Sequence, residues 1–283
     1  MITGRTRTFA LLGHPVRHSL SPAMHNELFR RNRLDAIYVA LDVRPADADQ
    51  VAGALRVTGL AGVNLTVPFK ERIVAGLDRL DPAAAAAGAV NVVVREDREL
   101  VGHNTDGEGY LRALQEEMGV RPEGRHAVVL GAGGSGRAVA AALAAGGAAS
   151  VTLLNRTVAR AEDAAARFAA QWPGCRLAAE PLDAGAFRRV AEGADLVVNC
   201  TSGEAAPLVG TLDVRALRPG SVWTDVNYWM ADPPRLAACV SHGVRIQRGI
   251  GMLIHQGALS FRLFTGVEVD GDTIRGVLDI GGW

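Results

Sequence analysis

Apolar residues recur along the chain in two alternating patterns, short β-type runs and longer runs with helical spacing, which predicts an α/β architecture with largely parallel sheets. In the first third, 8–12, 37–42, 63–67 and 91–94 read as strands. Between them, 22–31 opened by Ser21, 46–57 and an alanine-rich stretch after Pro82 read as helices. A longer helix at 107–118 stops at Gly119 with Pro122 just beyond, a C-cap followed by a connecting segment, and a domain boundary is expected there. The next block reads strand 127–130, a glycine turn, helix 137–145, strand 150–155, helix 159–171, then strands 195–199, 221–226 and 244–247. That is the order of a doubly wound nucleotide domain. A last helix at 252–264 is expected to return to the first domain. The expected fold class is therefore α/β in two domains. Residues 1–106 plus 252–283 form one around a parallel or mixed sheet, and residues 107–251 form the other, of Rossmann type.

Composition narrows the classes of function. A length of 283 residues suits about two domains, and 48% hydrophobic residues supply ample core. Thirty basic residues offset thirty acids, so no global field draws the chain to nucleic acid or an anionic membrane. Cys175, Cys200 and Cys239 are odd in number and widely spaced, neither a disulfide framework nor a zinc pattern, and point to a reducing, cytoplasmic setting. The N-terminal apolar run is too short for a signal-peptide core, and runs such as VAAALAAGGAA fall short of the roughly 18 residues a membrane span requires. The thirty basic residues are 29 arginines and one lysine, Lys70. Arginine cannot give up its proton in a protein and lysine can, so Lys70 is either a proton-transfer candidate or a chance surface residue.

The sharpest local motif is Gly131-Ala132-Gly133-Gly134-Ser135-Gly136, directly after the apolar run AVVL and before RAVAAALAA. Glycine allows the tight turn, the approach of backbone to a pyrophosphate and the packing of helix on strand, while the helix N-terminus offers N–H groups to the anion. Asn155-Arg156-Thr157, with Arg160 a turn later, ends the second strand of that block. An NAD site usually places an acid there for the ribose hydroxyl; two guanidiniums and no acid suit a 2′-phosphate, so NADP is the expected cofactor.

In the first domain Ser19 and Ser21 are two apart beside a helix start, where they could hold a carboxylate, although Ser21 before Pro22 is also an ordinary N-cap. Alternation through 63–67 sets Asn64 and Thr66 on the face opposite Val63, Leu65 and Val67, with Lys70 at the tip past Pro68. Asn91 ends a similar run, and GHNTDG brings Asp106 to a helix start, as a functional carboxylate or a simple cap. His14, His18 and His25 lie close in sequence but lack acids or thiols at ligand spacing, so no metal is expected. Trp223, Tyr228 and Trp229 could line a pocket or sit in the core.

The ordered motifs GHPVRHSLSPAMHN, GVNLTVPFK, GAVN, GHNTDGEG, GAGGSGRA, NRT, NCTS and GMLIHQGALSFRLFTG make the chain resemble the shikimate dehydrogenase family over most of its length. The resemblance implies a substrate-binding first domain, an NADP-binding second domain and reversible NADPH-dependent reduction of 3-dehydroshikimate, on the route to chorismate and the aromatic amino acids. It implies that Ser19 and Ser21 hold the substrate carboxylate, that Asn64, Thr66, Asn91, Asp106 and Gln256 hold ring hydroxyls, and that Lys70 transfers the proton with Asp106 as partner. Cofactor contacts are implied at Gly131 through Gly136, at Asn155, Arg156, Thr157 and Arg160, and at Thr201, Val226 and Gly249, with Tyr228 approaching the substrate. The expected partners are a small-molecule substrate and, as a candidate assembly, a second copy of the chain; nucleic acid and membrane are not among them. One departure stands out: after Asp225-Val-Asn-Tyr228 the chain reads Trp-Met-Ala-Asp-Pro-Pro, where the family has Pro and then Thr-Pro. Quinate or an aminoshikimate therefore stay open as substrates, and a catalytically silent NADP-binding sensor is the alternative of another class.

Overall fold

The computed structural model describes residues 2–201, 205–228 and 232–278. Two units form, Met1–Gly109 with Ile254–Trp283, and Tyr110–Leu253. The break lies inside the helix Asp106–Met118, and again inside the helix Ile250–Thr265.

The first unit is built on β1 (Arg7–Gly13), β2 (Ala36–Asp42), β3 (Leu60–Leu65), β4 (Arg79–Leu80), β5 (Val92–Glu96) and β6 (Glu99–His103), in the order β2-β1-β3-β5-β6-β4. β1 pairs parallel with β2 and β3, whereas β5 runs antiparallel to both β3 and β6, so the sheet is mixed. Ala10 and Leu12 of β1 join Val63, Leu65, Phe69 and Val93 in one buried cluster. Phe9, from the alternate side of β1, packs on Phe29 and Phe264, with ring centroids 5.4 and 4.8 Å apart. Asp81 accepts from the Ala84 N–H at 2.6 Å to cap the helix Pro82–Ala87, whose C-cap Gly88 takes φ +60°.

His25 lies among these rings, stacked on Tyr38 with centroids 4.5 Å apart and Nδ1 without a hydrogen-bond partner. Burial holds its imidazole neutral, lowering the pKa from 6.5 to about 3. The unfolded chain therefore binds a proton below pH 6.5 that the folded chain refuses until about pH 3, and stability falls as pH drops through that window. Denaturant unfolding should show the parent losing about 1.6 kcal/mol more than His25→Leu between pH 6.5 and 5. Equal losses in the two proteins would remove His25 as the cause.

The second unit stacks β7 (His126–Leu130), β8 (Ser150–Asn155), β9 (Arg176–Pro181), β10 (Leu196–Asn199), β11 (Val222–Asp225) and β12 (Arg245–Gln247), in the order β12-β11-β10-β7-β8-β9, every pair parallel. Chain order reverses between β7 and β10, the switch point where such sheets bind ligands at their carboxyl ends. Successive residues of β7 feed different cores. Ala127 and Val129 pack with Val139, Leu143 and Phe168 from the helices Gly134–Ala145 and Val158–Gln171; Val128 and Leu130 pack with Phe187, Cys239 and Trp223. The sheet is thus covered on both faces, as its near-continuous apolar strands require.

Several sequence expectations need correction. The third strand ends at Leu65, not Val67, and Val67 is exposed. Ser21 is the first helical residue, with Leu20 at the N-cap position in the α region and no side-chain cap. The last long helix starts at Ile250, not Met252. Trp223 belongs to the core, and Trp229 lies outside the described residues, as does the 229–231 part of the family departure at 229–234; its last residues cap and open the helix Pro233–Ser241. Sequence missed β9, the short β4, the hairpin strand β6, and the helices Ala184–Ala191, Pro233–Ser241 and Gly271–Leu278. Among the described residues no helix is long and apolar enough to cross a membrane.

Candidate active site

The carboxyl ends of β1 and β3 and the loop before β5 gather the polar residues of the first unit. Past β3 the chain turns at Thr66, whose carbonyl accepts from the Phe69 N–H at 2.9 Å, and enters the short helix Phe69–Arg72. Gly13 permits this approach, since a Cβ there would lie 2.1 Å from Thr66 Cγ2. Lys70 is anchored through its backbone, its carbonyl accepting from the Val90 N–H at 2.7 Å. Its side chain, only 13% exposed, places Nζ 2.5 Å from Asp106 Oδ2. Asn91 Nδ2 donates to the other oxygen, Oδ1, at 2.9 Å, and to Thr105 Oγ1 at 2.8 Å. The Asp106 N–H donates to Asn104 Oδ1 at 3.0 Å. Asp106, the first residue of the helix Asp106–Met118, thus has its carboxylate bonded from two sides, by Lys70 and by Asn91.

Gln256 comes from the far end of the chain. Gly109, in the first turn of Asp106–Met118, lets the helix Ile250–Thr265 come close, because a Cβ on it would stand 2.6 Å from the Gln256 nitrogen. The contact brings Gln256 Oε1 to 3.4 Å from Asn91 Nδ2. Ser19 and Ser21 are joined locally, Ser21 N–H donating to Ser19 Oγ at 3.2 Å. Lys70, Asp106, Asn91 and Gln256 are thus brought into one hydrogen-bonded group, while Ser19 lies in the loop after β1 and Ser21 opens the helix Ser21–Arg31.

Asn64 sits beneath this group. Its Nδ2 donates to Ser260 Oγ at 3.0 Å and the Asn91 carbonyl at 3.3 Å, while Oδ1 accepts from the Tyr38 hydroxyl at 2.8 Å. Both amide hydrogens are spent inside the protein, so Asn64 is better suited to supporting Asn91 than to donating to a ligand. Tyr38, Thr105 and Ser260 escaped the sequence reading, Tyr38 and Ser260 for want of any local signal. Tyr38→Phe leaves Asn64 Oδ1 short of a donor in a buried setting and should lower stability by about 1–3 kcal/mol in thermal unfolding, with the fold retained.

In the second unit the glycine turn follows β7. Gly131 takes φ +97°, open to glycine, and a Cβ on Gly136 would stand 1.9 Å from the Gly131 carbonyl oxygen. The helix Gly134–Ala145 begins here with no side-chain cap, its first turn of backbone N–H groups next to the turn. Asn155, at the end of β8, accepts from the Ala132 N–H at 3.0 Å and donates to the Thr157 carbonyl at 2.8 Å. Arg156 and Arg160 are exposed, and the segment 155–160 carries no acid. Across the switch point, Asn199 Oδ1 accepts from Thr201 Oγ1 at 2.7 Å, and Asn199 Nδ2 donates to Asp225 Oδ2 at 2.8 Å. Burial pushes the Asp225 carboxyl up, and donation from the Asn227 N–H and the amides of Asn199 and Asn227 opposes it. These bonds hold the loop leading to the half-buried Tyr228. Gly249 packs against Val226, where a Cβ would stand 2.4 Å from the Val226 carbonyl oxygen. The tight turn, the uncapped helix start and paired guanidiniums without an acid fit a dinucleotide carrying a 2′-phosphate. Among the described residues no cluster of His, Cys, Asp and Glu could hold a metal.

A parallel sheet with its glycine turn at the switch point puts the chain among the dinucleotide-binding α/β proteins. Family models narrow this: residues 11–93 match the shikimate dehydrogenase substrate binding domain, 113–228 shikimate / quinate 5-dehydrogenase, and 249–278 the shikimate 5′-dehydrogenase C-terminal domain. The chain belongs to the shikimate dehydrogenase family. It is 44% identical over 268 residues, 94% of each chain, to shikimate dehydrogenase (NADP(+)) of Geobacter metallireducens. Among solved structures it is similar to shikimate 5-dehydrogenase from Listeria monocytogenes in complex with shikimate and NAD, with TM-score 0.85, 34% identity and 98% of each chain covered. It is also similar to the Thermus thermophilus enzyme in complex with NADP(H) and shikimate, with TM-score 0.81, 38% identity, and 96% of this chain and 98% of that one covered.

Proposed function

We propose that the chain catalyses the reversible NADPH-dependent reduction of 3-dehydroshikimate to shikimate, serving chorismate and aromatic amino acid formation in the cytoplasm. The observation that carries this reading is the Lys70–Asp106 contact at 2.5 Å, braced by Asn91, within the segment that matches a substrate-binding domain. NADPH, when bound at the glycine turn, supplies the hydride. As the substrate's carbonyl oxygen gains charge, the Lys70 ammonium stabilises it and gives it a proton, and in the reverse direction the neutral amine takes the hydroxyl proton. Asp106 holds Nζ in place and accepts from a neighbouring ring hydroxyl, and Asn91 fixes the carboxylate. Gln256 and Thr66 offer further polar contacts to the ring, Ser19 and Ser21 donate to the substrate carboxylate, and Tyr228 approaches the substrate. Arg156 and Arg160 meet the 2′-phosphate, while Thr157, Thr201, Val226 and Gly249 shape the cofactor's bed.

Steady-state kcat/KM on 3-dehydroshikimate, 3-dehydroquinate and the amino analogue, each with NADPH and NADH, tests the reading. Preference for 3-dehydroshikimate with NADPH is expected. Preference for the quinate-type ketone would move the chain within its family. Absence of turnover across all substrates with tight NADPH binding would make it a sensor.

A further inference from the structure

Ala132, the second residue of the glycine turn, is fully buried, and both its backbone polar groups are taken by side chains. Its N–H donates to Asn155 Oδ1 at 3.0 Å, and its carbonyl accepts from Arg137 Nε at 3.1 Å. Each side chain then continues to the same place. Asn155 Nδ2 donates to the Thr157 carbonyl at 2.8 Å, and Arg137 Nη2 reaches the Arg160 carbonyl and the Asp163 carboxylate, both at 3.5 Å. Arg137 is buried in the first turn of the helix Gly134–Ala145, its side chain 10% exposed, while Asp163 is 62% exposed. A buried guanidinium facing mainly carbonyl oxygens and one long, solvated ion pair is a costly way to fill space. What the guanidinium provides is a rigid fork whose Nε and Nη2 serve two carbonyls at once, that of Ala132 in the glycine turn and that of Arg160 in the first turn of the helix Val158–Gln171, a geometry that the single nitrogen of a lysine or an apolar side chain does not provide.

We propose that Arg137 is a positioning residue for cofactor discrimination: with Asn155 it locks the Ala132 peptide to the 155–160 segment, making the glycine turn and the two guanidiniums of that segment a single rigid receptor. The inference rests on reading Arg156 and Arg160 as the 2′-phosphate site. NADH needs only the turn, whereas NADPH must meet turn and guanidiniums together. A receptor already fixed in register spares NADPH the ordering cost that a loosened one would impose.

The test compares Arg137→Gln and Arg137→Lys with the parent and with Arg156→Ala/Arg160→Ala, using purified full-length enzyme, NADPH and NADH. For Arg137→Gln the KM for NADPH rises about tenfold and kcat at saturating NADPH holds within about twofold, while the NADPH-over-NADH ratio of kcat/KM falls by about threefold to tenfold. Arg137→Lys, which keeps one donor and the charge, lies between parent and Gln and decides the matter should the Gln variant fail to fold. In the Arg156→Ala/Arg160→Ala background, Arg137→Gln affects both cofactors alike. Equal losses with NADPH and NADH in the otherwise intact enzyme would overturn the proposal and leave Arg137 a packing residue. A ratio unchanged by Arg156→Ala/Arg160→Ala would instead defeat the 2′-phosphate reading itself, a distinguishable result.

Discussion

Lys70→Ala lowers kcat by about 10²- to 10⁴-fold, the range for loss of a positioned acid–base group, and leaves KM near the parent value. On the proposed mechanism the two constants separate because Lys70 would act on charge that appears as the carbonyl is reduced, whereas the substrate's carboxylate and hydroxyls would be held by other residues. Nζ is held 2.5 Å from Asp106 on a backbone tied to Val90, so the side chain is fixed by the fold before any ligand arrives. Lys70→Arg is the sharper variant. It keeps the positive charge but cannot cycle a proton, and it should lose kcat nearly as fully as alanine. Steady-state kinetics in both directions check this, and full kcat in either variant would remove Lys70 from proton transfer.

Gly136→Ala abolishes useful cofactor binding. Its Cβ would lie 1.9 Å from the Gly131 carbonyl oxygen and 2.9 Å from the carbonyl carbon, and neither is the end of a flexible side chain. Helix and turn must part by about an ångström, costing on the order of 3 kcal/mol, the upper part of the range for overpacking. At roughly 2–4 °C per kcal/mol the melting temperature should drop clearly, and NADPH affinity should fall by about 100-fold or more as the turn loses its shape. Gly174→Ala is the control, with nothing within 4 Å of its Cβ, and should match the parent in both measurements. Calorimetry with NADPH titration decides; an unaltered affinity in Gly136→Ala would show that the turn tolerates opening.

Much of the second unit was legible because its signals are local. Strand, glycine turn and helix follow one another within the span 126–145, and the reading needs no distant partner. Elements that escaped have weak local signals. β9 is a half-buried edge strand without clean alternation, Ala184–Ala191 is two turns long, and the β5–β6 hairpin turns at Asp97, which takes φ +54° without a glycine to mark it. Thr66 and Val67 were drawn into β3 because the alternation runs on past Leu65, yet the chain has already turned and Val67 is exposed. The motifs delivered Lys70, Asp106 and Asn91 singly, and the family resemblance paired Lys70 with Asp106. That Asn64 is spent on Tyr38 and Ser260, and Ala132 on Arg137 and Asn155, depends on contacts made only by the folded chain.

The order in which the residues leave the ribosome gives the discontinuous first unit a further consequence. Gln256 and Ser260 belong with Asn91 and Asn64, yet the whole of Tyr110–Leu253 must be synthesised before either emerges. Domains generally fold as units during translation, so the nascent first unit waits with Asn64 lacking its Ser260 partner while the second can already be complete. A chain interrupted just after Leu253 can own a finished nucleotide fold and still lack Gln256 and Ser260.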